Sequence, residues 1–334
     1  MPQPVMRRHR WLAGLAVAAA AAAVVNVRSR KAERENPPIG RFVEVCGGRL
    51  HYIELGHGAP LVVLHGNSSL SIDFLLSGVV PIVASRYRVI VFDRPGYGYS
   101  DPLPGDCCRP EAQARLIHSA LRRMGVQEAI VLGHSWGALV AIALALESPQ
   151  AVRGLILESG FLYPQPRIDM AVLSQAARPV IGGLARQTFL PLTARAVWPL
   201  IMRLLFGPAP VPKHFRRFPP WMVLRPSQIR TSAIELGLAG SATRRLSRRY
   251  RELRLPVAIL AGRGDRIVDP KKHSGRLHAE LRRSTFRVLD GVGHMVHHSN
   301  PKAVADAVDE VNRLGRLPPK SADEPGAGAG PLTG

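Results

Sequence analysis

The chain alternates between short apolar runs and longer stretches with helical spacing. Runs rich in β-branched and apolar residues begin at Phe42 (FVEV), Leu50 (LHYIEL), Pro60 (PLVVLH), Arg88 (RVIVFD), Ala129 (AIVLGH), Arg153 (RGLILES), Pro256 (PVAILAG) and Thr285 (TFRVLD). Helical patterns such as EAQARLIHSALRRMG from Glu111 lie between many of them, and PKAVADAVDEVNRL from Pro301 closes the series. The later runs are apolar throughout, as expected for strands buried on both faces of a parallel sheet. The order predicts an α/β layered domain with eight strands, mostly parallel, and flanking helices. The first two runs alternate more, which fits an antiparallel hairpin at one edge.

One gap breaks the rhythm. From Phe161 to about Leu253 no comparable strand appears, and helical patches (Met170 to Ala177, Thr193 to Phe206, Ile229 to Leu246) are separated by prolines. This reads as a helical cap inserted after the sixth strand. The expected organisation is an apolar segment plus linker over 1–40, core over 41–160, cap over 161–253 and core again over 254–314. The Pro/Gly/Ala-rich tail, 315–334, has the composition of a disordered segment.

The apolar run Trp11 to Val25 is preceded by MRRHR and followed by RSRK at Arg28 to Lys31. Its length and basic flank suit a signal-peptide core, and it is short for a bilayer span of about 20 residues. The basic RSRK is poor flanking for cleavage, so an uncleaved membrane anchor is preferred, with export after cleavage as the alternative. The charged stretch from Arg28 to Pro37-Pro38 reads as a linker.

Net charge is +21, and Gly160 to Arg254 carries 16 Lys+Arg against 3 Asp+Glu, or +13 of that total. Such a surface attracts anions, and with the N-terminal segment it suggests an anionic membrane surface as partner. No nucleic-acid motif accompanies the charge, so nucleic acid is discounted. Three cysteines (Cys46, Cys107, Cys108) are too few for a disulfide framework or a zinc site.

The chemistry begins at VLGHSWGALVAIALA, Val131 to Ala145, where a strand-like run passes into a helix-like one through Ser135. Gly133 and Gly137 flank the serine at two residues on either side. A tight strand-to-helix turn would hold Ser135 in a strained conformation and project its hydroxyl above the sheet edge, facing a helix N-terminus. This is the G-x-S-x-G pattern of a nucleophile elbow; the bland alternative is a helix N-cap. A nucleophilic hydroxyl needs a base, and the base an orienting carboxylate. His294 in DGVGHMVHH follows the eighth strand and Asp265 in AGRGDRIVDP follows the seventh. Glu158 at the end of the sixth strand and Asp269 are alternative acids, though Asp269 precedes Pro270 and suits a helix cap. His297 and His298 have metal-ligand character, but no Cys or carboxylate cluster near them in sequence supports a metal. No metal or cofactor is expected.

With LGHSWG, VVLHGN, FDRPGYGYSDP, GRGDRIVDP and GVGHMVHH in place, the chain resembles the α/β-hydrolase fold superfamily from Val43 to Leu314, apart from the insertion. The resemblance implies Ser135 as nucleophile, His294 as general base and acid, and Asp265 as orienting acid. It implies backbone N–H groups of Asn67 and Trp136 as the oxyanion hole, and structural roles for Arg94 and Tyr97.

Haloalkane dehalogenases and epoxide hydrolases resemble this chain in layout but use an aspartate nucleophile. Attack by Ser135 would leave an ether, which cannot be hydrolysed at a carbonyl. Carbon–carbon bond hydrolases share the serine but usually carry a Gly-Pro-Gly where this chain has NSSLS. The expected activity is therefore hydrolysis of a small or apolar carboxylic ester, esterase- or lipase-like. Acyl transfer to another alcohol needs the same residues, and non-catalytic ligand binding or scaffolding is the competing class. Apolar cap residues (Phe161, Leu162, Phe189, Leu190, Trp198, Phe206, Trp221) could line a pocket or form the cap's own core. Oligomeric state is not legible.

Overall fold

The computed structural model describes residues 4–102 and 108–316. All eight runs form strands: β1 (Arg41–Val45), β2 (Gly48–Leu55), β3 (Ala59–Leu64), β4 (Tyr87–Phe92), β5 (Ala129–His134), β6 (Val152–Glu158), β7 (Val257–Gly262) and β8 (Ser284–Leu289). They make one sheet in the order β1-β2-β4-β3-β5-β6-β7-β8. The β1–β2 hairpin sits at the edge, and β2 also pairs antiparallel with β4. The remaining pairs are parallel.

Side chains alternate across the sheet, and both faces are covered. Leu61 and Val63 of β3 pack in one core cluster with Val304 and Val308 of the last helix, Pro301–Gly315. Val62 and Leu64 pack on the opposite face with Leu139 and Ile142 of the helix Trp136–Glu147. That helix is apolar all round because it is buried from Trp136 to Ala145. The last helix is amphipathic instead, and Asn300 caps it by accepting a 3.1 Å hydrogen bond from the Ala303 N–H.

Between β6 and β7 lie helices Ile168–Ser174, Ile181–Gln187, Phe189–Ala196, Trp198–Phe206 and Pro226–Ser247. The expected single helix over Thr193 to Phe206 is two, bent by 57°. Pro199 in the first turn of the second helix explains the break, since proline cannot continue a preceding helix. Phe161 and Leu162 join the sheet core, whereas Phe206, Trp198 and Trp221 pack in a second cluster that the cap shares with Ala32, Leu70 and Met295, and Phe189 is exposed.

The linker expected from Arg28 is also corrected. A single helix runs from Pro4 to Glu35. Lys, Arg and Glu are good helix formers, Lys31 and Glu35 pair at 3.5 Å one turn apart, and Pro37-Pro38 end the helix. The tail expected to be disordered lies, from residue 317 on, outside the described residues.

Candidate active site

The carboxyl ends of β3, β5, β7 and β8 lead into the turns and loops that carry Asn67, Ser135, Asp265 and His294, and Glu158 ends β6. Parallel strands deliver such loops to one rim of the sheet.

Ser135 sits at φ 52°, ψ −113°, outside the conformations that L-residues favour. The flanking glycines make the turn possible. A Cβ on Gly133 would strike the Gly137 carbonyl, and a Cβ on Gly137 would strike the carbonyls of Leu64 and His65. The Ser135 side chain makes no capping hydrogen bond to its helix, so its hydroxyl is not spent as an N-cap. The Ser135 N–H instead donates to the Glu158 carbonyl at 2.9 Å, which ties the turn to β6.

His294 and Asp265 meet, with Nδ1 2.8 Å from Oδ2. Burial opposes ionisation of Asp265, but His294 and the N–H groups of Val268 and Ile267 hold its carboxyl below the usual range. The two N–H groups bind the other oxygen, Oδ1, at 3.0 and 2.8 Å. The carboxylate is therefore fixed at both oxygens and accepts a hydrogen bond from Nδ1–H, which keeps the proton on Nδ1 and leaves Nε2 of His294 as the basic nitrogen. Among the described residues no side chain hydrogen-bonds Ser135 Oγ, and such contacts commonly close only with substrate bound.

The turn His65-Gly66-Asn67 lies against Ser135. A Cβ on Gly66 would come within 3.2 Å of Ser135 Cβ. Arg94 sets the orientation of this turn. Its Nε donates to the His65 carbonyl at 2.7 Å and its Nη2 to the Gly66 carbonyl at 2.9 Å. In a planar trans peptide the N–H points opposite the carbonyl. The Asn67 N–H therefore faces away from Arg94. Burial, then Arg94, pushes His65 down to about 3, so it is neutral; its Nε2 accepts from the Arg94 N–H at 3.0 Å.

The arrangement reaches into the cap. Arg94 pairs with Glu235 of helix Pro226–Ser247, and both are fully buried. Glu235 also accepts from Tyr97 at 2.8 Å, Gln113 at 2.9 Å and the Asn67 amide at 2.9 Å. Arg94 and Tyr97 are thus structural in geometry. Glu235 is a partner that sequence reading missed; its one signal was being among few acids in a basic cap.

Glu158 and Asp269 do not reach His294. Asp269 Oδ1 accepts from the N–H groups of Lys271 and Lys272, as a cap does. Glu158 binds His297 Nδ1 at 2.9 Å. His297 Nε2 lies 3.4 Å from Asp73, and His298 Nε2 lies 2.7 Å from the same carboxylate. The carboxylates that sequence reading did not find near these histidines come from β6 and from helix Ser71–Ser77. Asp73, His297 and His298 offer ligand atoms within 4.8 Å of one another. Their nitrogens are already paired, however, with His298 Nδ1 3.1 Å from His214. Burial would lower His297, but Asp73 and Glu158 raise it to about 9. With these ring nitrogens engaged by Glu158, Asp73 and His214, the group forms a hydrogen-bonded tether. His134, neutral because it is buried, places Nε2 3.1 Å from the His294 carbonyl. The His294 loop is thus held from below by β5 and from its far side by this tether.

A cleft of about 440 Å³ lies beside the acid loop, lined by Arg167, Arg263, Arg266 and Lys271. Ser135 is not on it, so it is not taken as the substrate site.

A family described as the alpha/beta hydrolase fold matches residues 59–301. A 2-hydroxy-6-oxononadienedioate/2-hydroxy-6-oxononatrienedioate hydrolase from Cupriavidus pinatubonensis is 29% identical over 279 residues, covering 79% of this chain and 91% of that one. Haloalkane dehalogenase 2 from Mycobacterium tuberculosis is 28% identical over 151 residues, covering 45% of this chain and 52% of that one. Among solved structures, a thermophilic esterase from Thermogutta terrifontis superposes with a TM-score of 0.67 at 21% identity, covering 83% of this chain and 100% of that one.

Proposed function

The chain belongs to the alpha/beta hydrolase fold family, and from that premise we propose that it is a serine hydrolase cleaving carboxylic esters through an acyl-enzyme. The observation that carries this reading is the strained, uncapped Ser135 at the strand end beside the Asp265–His294 pair. Ser135 attacks the ester carbonyl while His294 Nε2 takes its proton. The N–H groups of Asn67 and Trp136 receive the oxyanion. His294 then protonates the leaving alcohol and activates the water that releases the acid. Asp265 stays ionised and holds the imidazole.

The dioate hydrolase relative favours a second reading, cleavage of a carbon–carbon bond by the same serine. A substrate with two carboxylates calls for cations facing Ser135. Arg94, the buried cation of this site, is spent on Glu235 and on two backbone carbonyls. That supports an uncharged ester over a dianion. The apolar N-terminal helix supports attachment to a membrane as an anchor.

A fluorescent fluorophosphonate reports the activated serine without knowledge of the substrate. Wild type is expected to label, and Ser135→Ala and His294→Ala are not. Asp265→Asn is expected to lower kcat on a short ester by about 10³- to 10⁴-fold, because the imidazole loses its tautomer. A folded wild type that does not label, or a Ser135→Ala variant with full activity, overturns the assignment. Turnover of the dioate without turnover of any ester replaces it with the second reading.

A further inference from the structure

The cap leaves apolar side chains in solvent across four consecutive helices, the layer from Ile168 to Phe206. Ile168 is 85% exposed, Val180 80% and Ile181 73%, and Leu184, Phe189 and Leu200 are exposed as well. Single exposed apolar residues are ordinary, but a run of them across neighbouring helices marks an interaction surface. The bent pair Phe189–Ala196 and Trp198–Phe206 is apolar enough to pass as membrane-embedded by composition.

The N-terminal helix borders the same layer. It touches helices Ile181–Gln187 and Phe189–Ala196, burying Val25 and Ala32. Glu33 pairs with Arg225 at 2.8 Å, and the Tyr99 hydroxyl donates to the Asn36 carbonyl. Leu12, Leu15, Val17 and Val24 remain exposed on its free portion. From Val24 to Ala32 a helix rises only about 12 Å. An apolar rod docked this close to its apolar part brings the cap to the surface of any bilayer it enters. Arg178, Arg195 and Arg203 are exposed on these helices and the turns between them. None has an acidic partner among the described residues, so the rim complements anionic lipid.

The inner face of this layer meets the catalytic loop. Met202 and Phe206 pack with Met295 and Leu70, and the His294 N–H donates to the Leu205 carbonyl at 2.8 Å. Leu200 on the outside and Met202 on the inside belong to one helix. The outer surface and the His294 loop are thus about one helix diameter apart, on the order of 10 Å.

We propose that the cap layer from Ile168 to Phe206 docks into an anionic lipid surface beside the N-terminal helix, and that the enzyme takes an acyl ester substrate from that lipid. The substrate half of the proposal rests on the serine-hydrolase reading; the surface half does not.

The test uses the full chain in phosphatidylcholine vesicles containing phosphatidylglycerol and a lipid with a photoactivatable acyl chain. Cross-linked peptides are located by mass spectrometry. Adducts are expected on the cap layer as well as on the N-terminal helix. The variant Ile181→Glu/Leu184→Glu/Leu200→Glu changes exposed positions only. It is expected to lose cap adducts about tenfold while keeping those of the N-terminal helix. Its turnover of a vesicle-borne ester should fall about tenfold and that of a water-soluble acetate ester stay within about twofold. Adducts confined to the N-terminal helix, or cap peptides cross-linked to a second copy of the chain, overturn the lipid surface. Equal loss on both esters overturns delivery from lipid. Fluorophosphonate labelling in the same samples reads the hydrolase assignment separately, because it needs Ser135 and not the bilayer.

Discussion

At Arg94 the cost of a buried charge meets the geometry of the His65-Gly66-Asn67 turn, the proposed oxyanion site. The guanidinium has no exposure, and its charge is matched by Glu235 from the cap while its other donors hold two carbonyls of the turn. Replacing Glu235 by Gln keeps the shape and leaves the cation uncompensated. Breaking a buried pair in this way costs about 3–5 kcal/mol, far more than an exposed pair. Glu235→Gln is expected to lower unfolding free energy by about that amount in urea titrations. It should also lower kcat more than it raises KM, because Arg94, which holds the carbonyls of His65 and Gly66, loses its charge partner. A loss under about 1 kcal/mol would mean that water reaches the pair, as at a surface salt bridge.

At the scale of elements, the short helix Val296–Ser299 shows both what the sequence discloses and what it hides. Eight strands were legible because apolar and alternating runs are local signals. The residues that meet as His294 and Asp265 were legible because each follows a strand end in the expected order. The partners of His297 and His298 were not, since Glu158 lies 139 residues away and Asp73 more than 200. The helix break at Val197 was missed because Pro199 is tolerated in a first turn, so a proline there starts a helix and looks like one inside it. The His297 tether has a pH signature. Its ring faces Asp73 from helix Ser71–Ser77, Glu158 from β6, His134 from β5 and its neighbour His298, and stacks on Phe74. Its folded pKa of about 9 is above the ordinary 6.5, so its stabilisation is complete below 6.5 and is lost as pH rises through about 9. The total is on the order of 3 kcal/mol. Buried neutral His65 and His134 act the other way, since the unfolded chain protonates them as pH falls below 6.5. Unfolding free energy should therefore peak near 6.5. In His297→Gln the decline between about 6.5 and 9 should flatten while the acid limb remains. An unchanged alkaline slope would show that His297 is neutral in the folded protein.

For the whole molecule, the distribution of charge and apolar surface separates the two modes of the proposed membrane attachment. The N-terminal helix would enter by its apolar length, which salt does not screen. The cap adds exposed cations around exposed apolar side chains, and the cationic share weakens as the Debye length falls from about 10 Å at 0.1 M salt to about 3 Å at 1 M. The N-terminal helix packs chiefly on cap helices, with Glu33 paired to Arg225, and Ala32 reaches the cluster that also holds Leu70 and Met295. A chain lacking residues 1–34 is therefore expected to keep its turnover of water-soluble esters within about twofold. In co-sedimentation it should still bind vesicles containing phosphatidylglycerol at low salt. High salt should reduce that binding to the smaller amount that the apolar side chains supply, and pure phosphatidylcholine vesicles should bind it weakly throughout. Binding indifferent to both salt and phosphatidylglycerol would remove the cationic rim from the account. No binding at any salt would place all attachment in the N-terminal helix, and the exposed cap side chains would then need another partner.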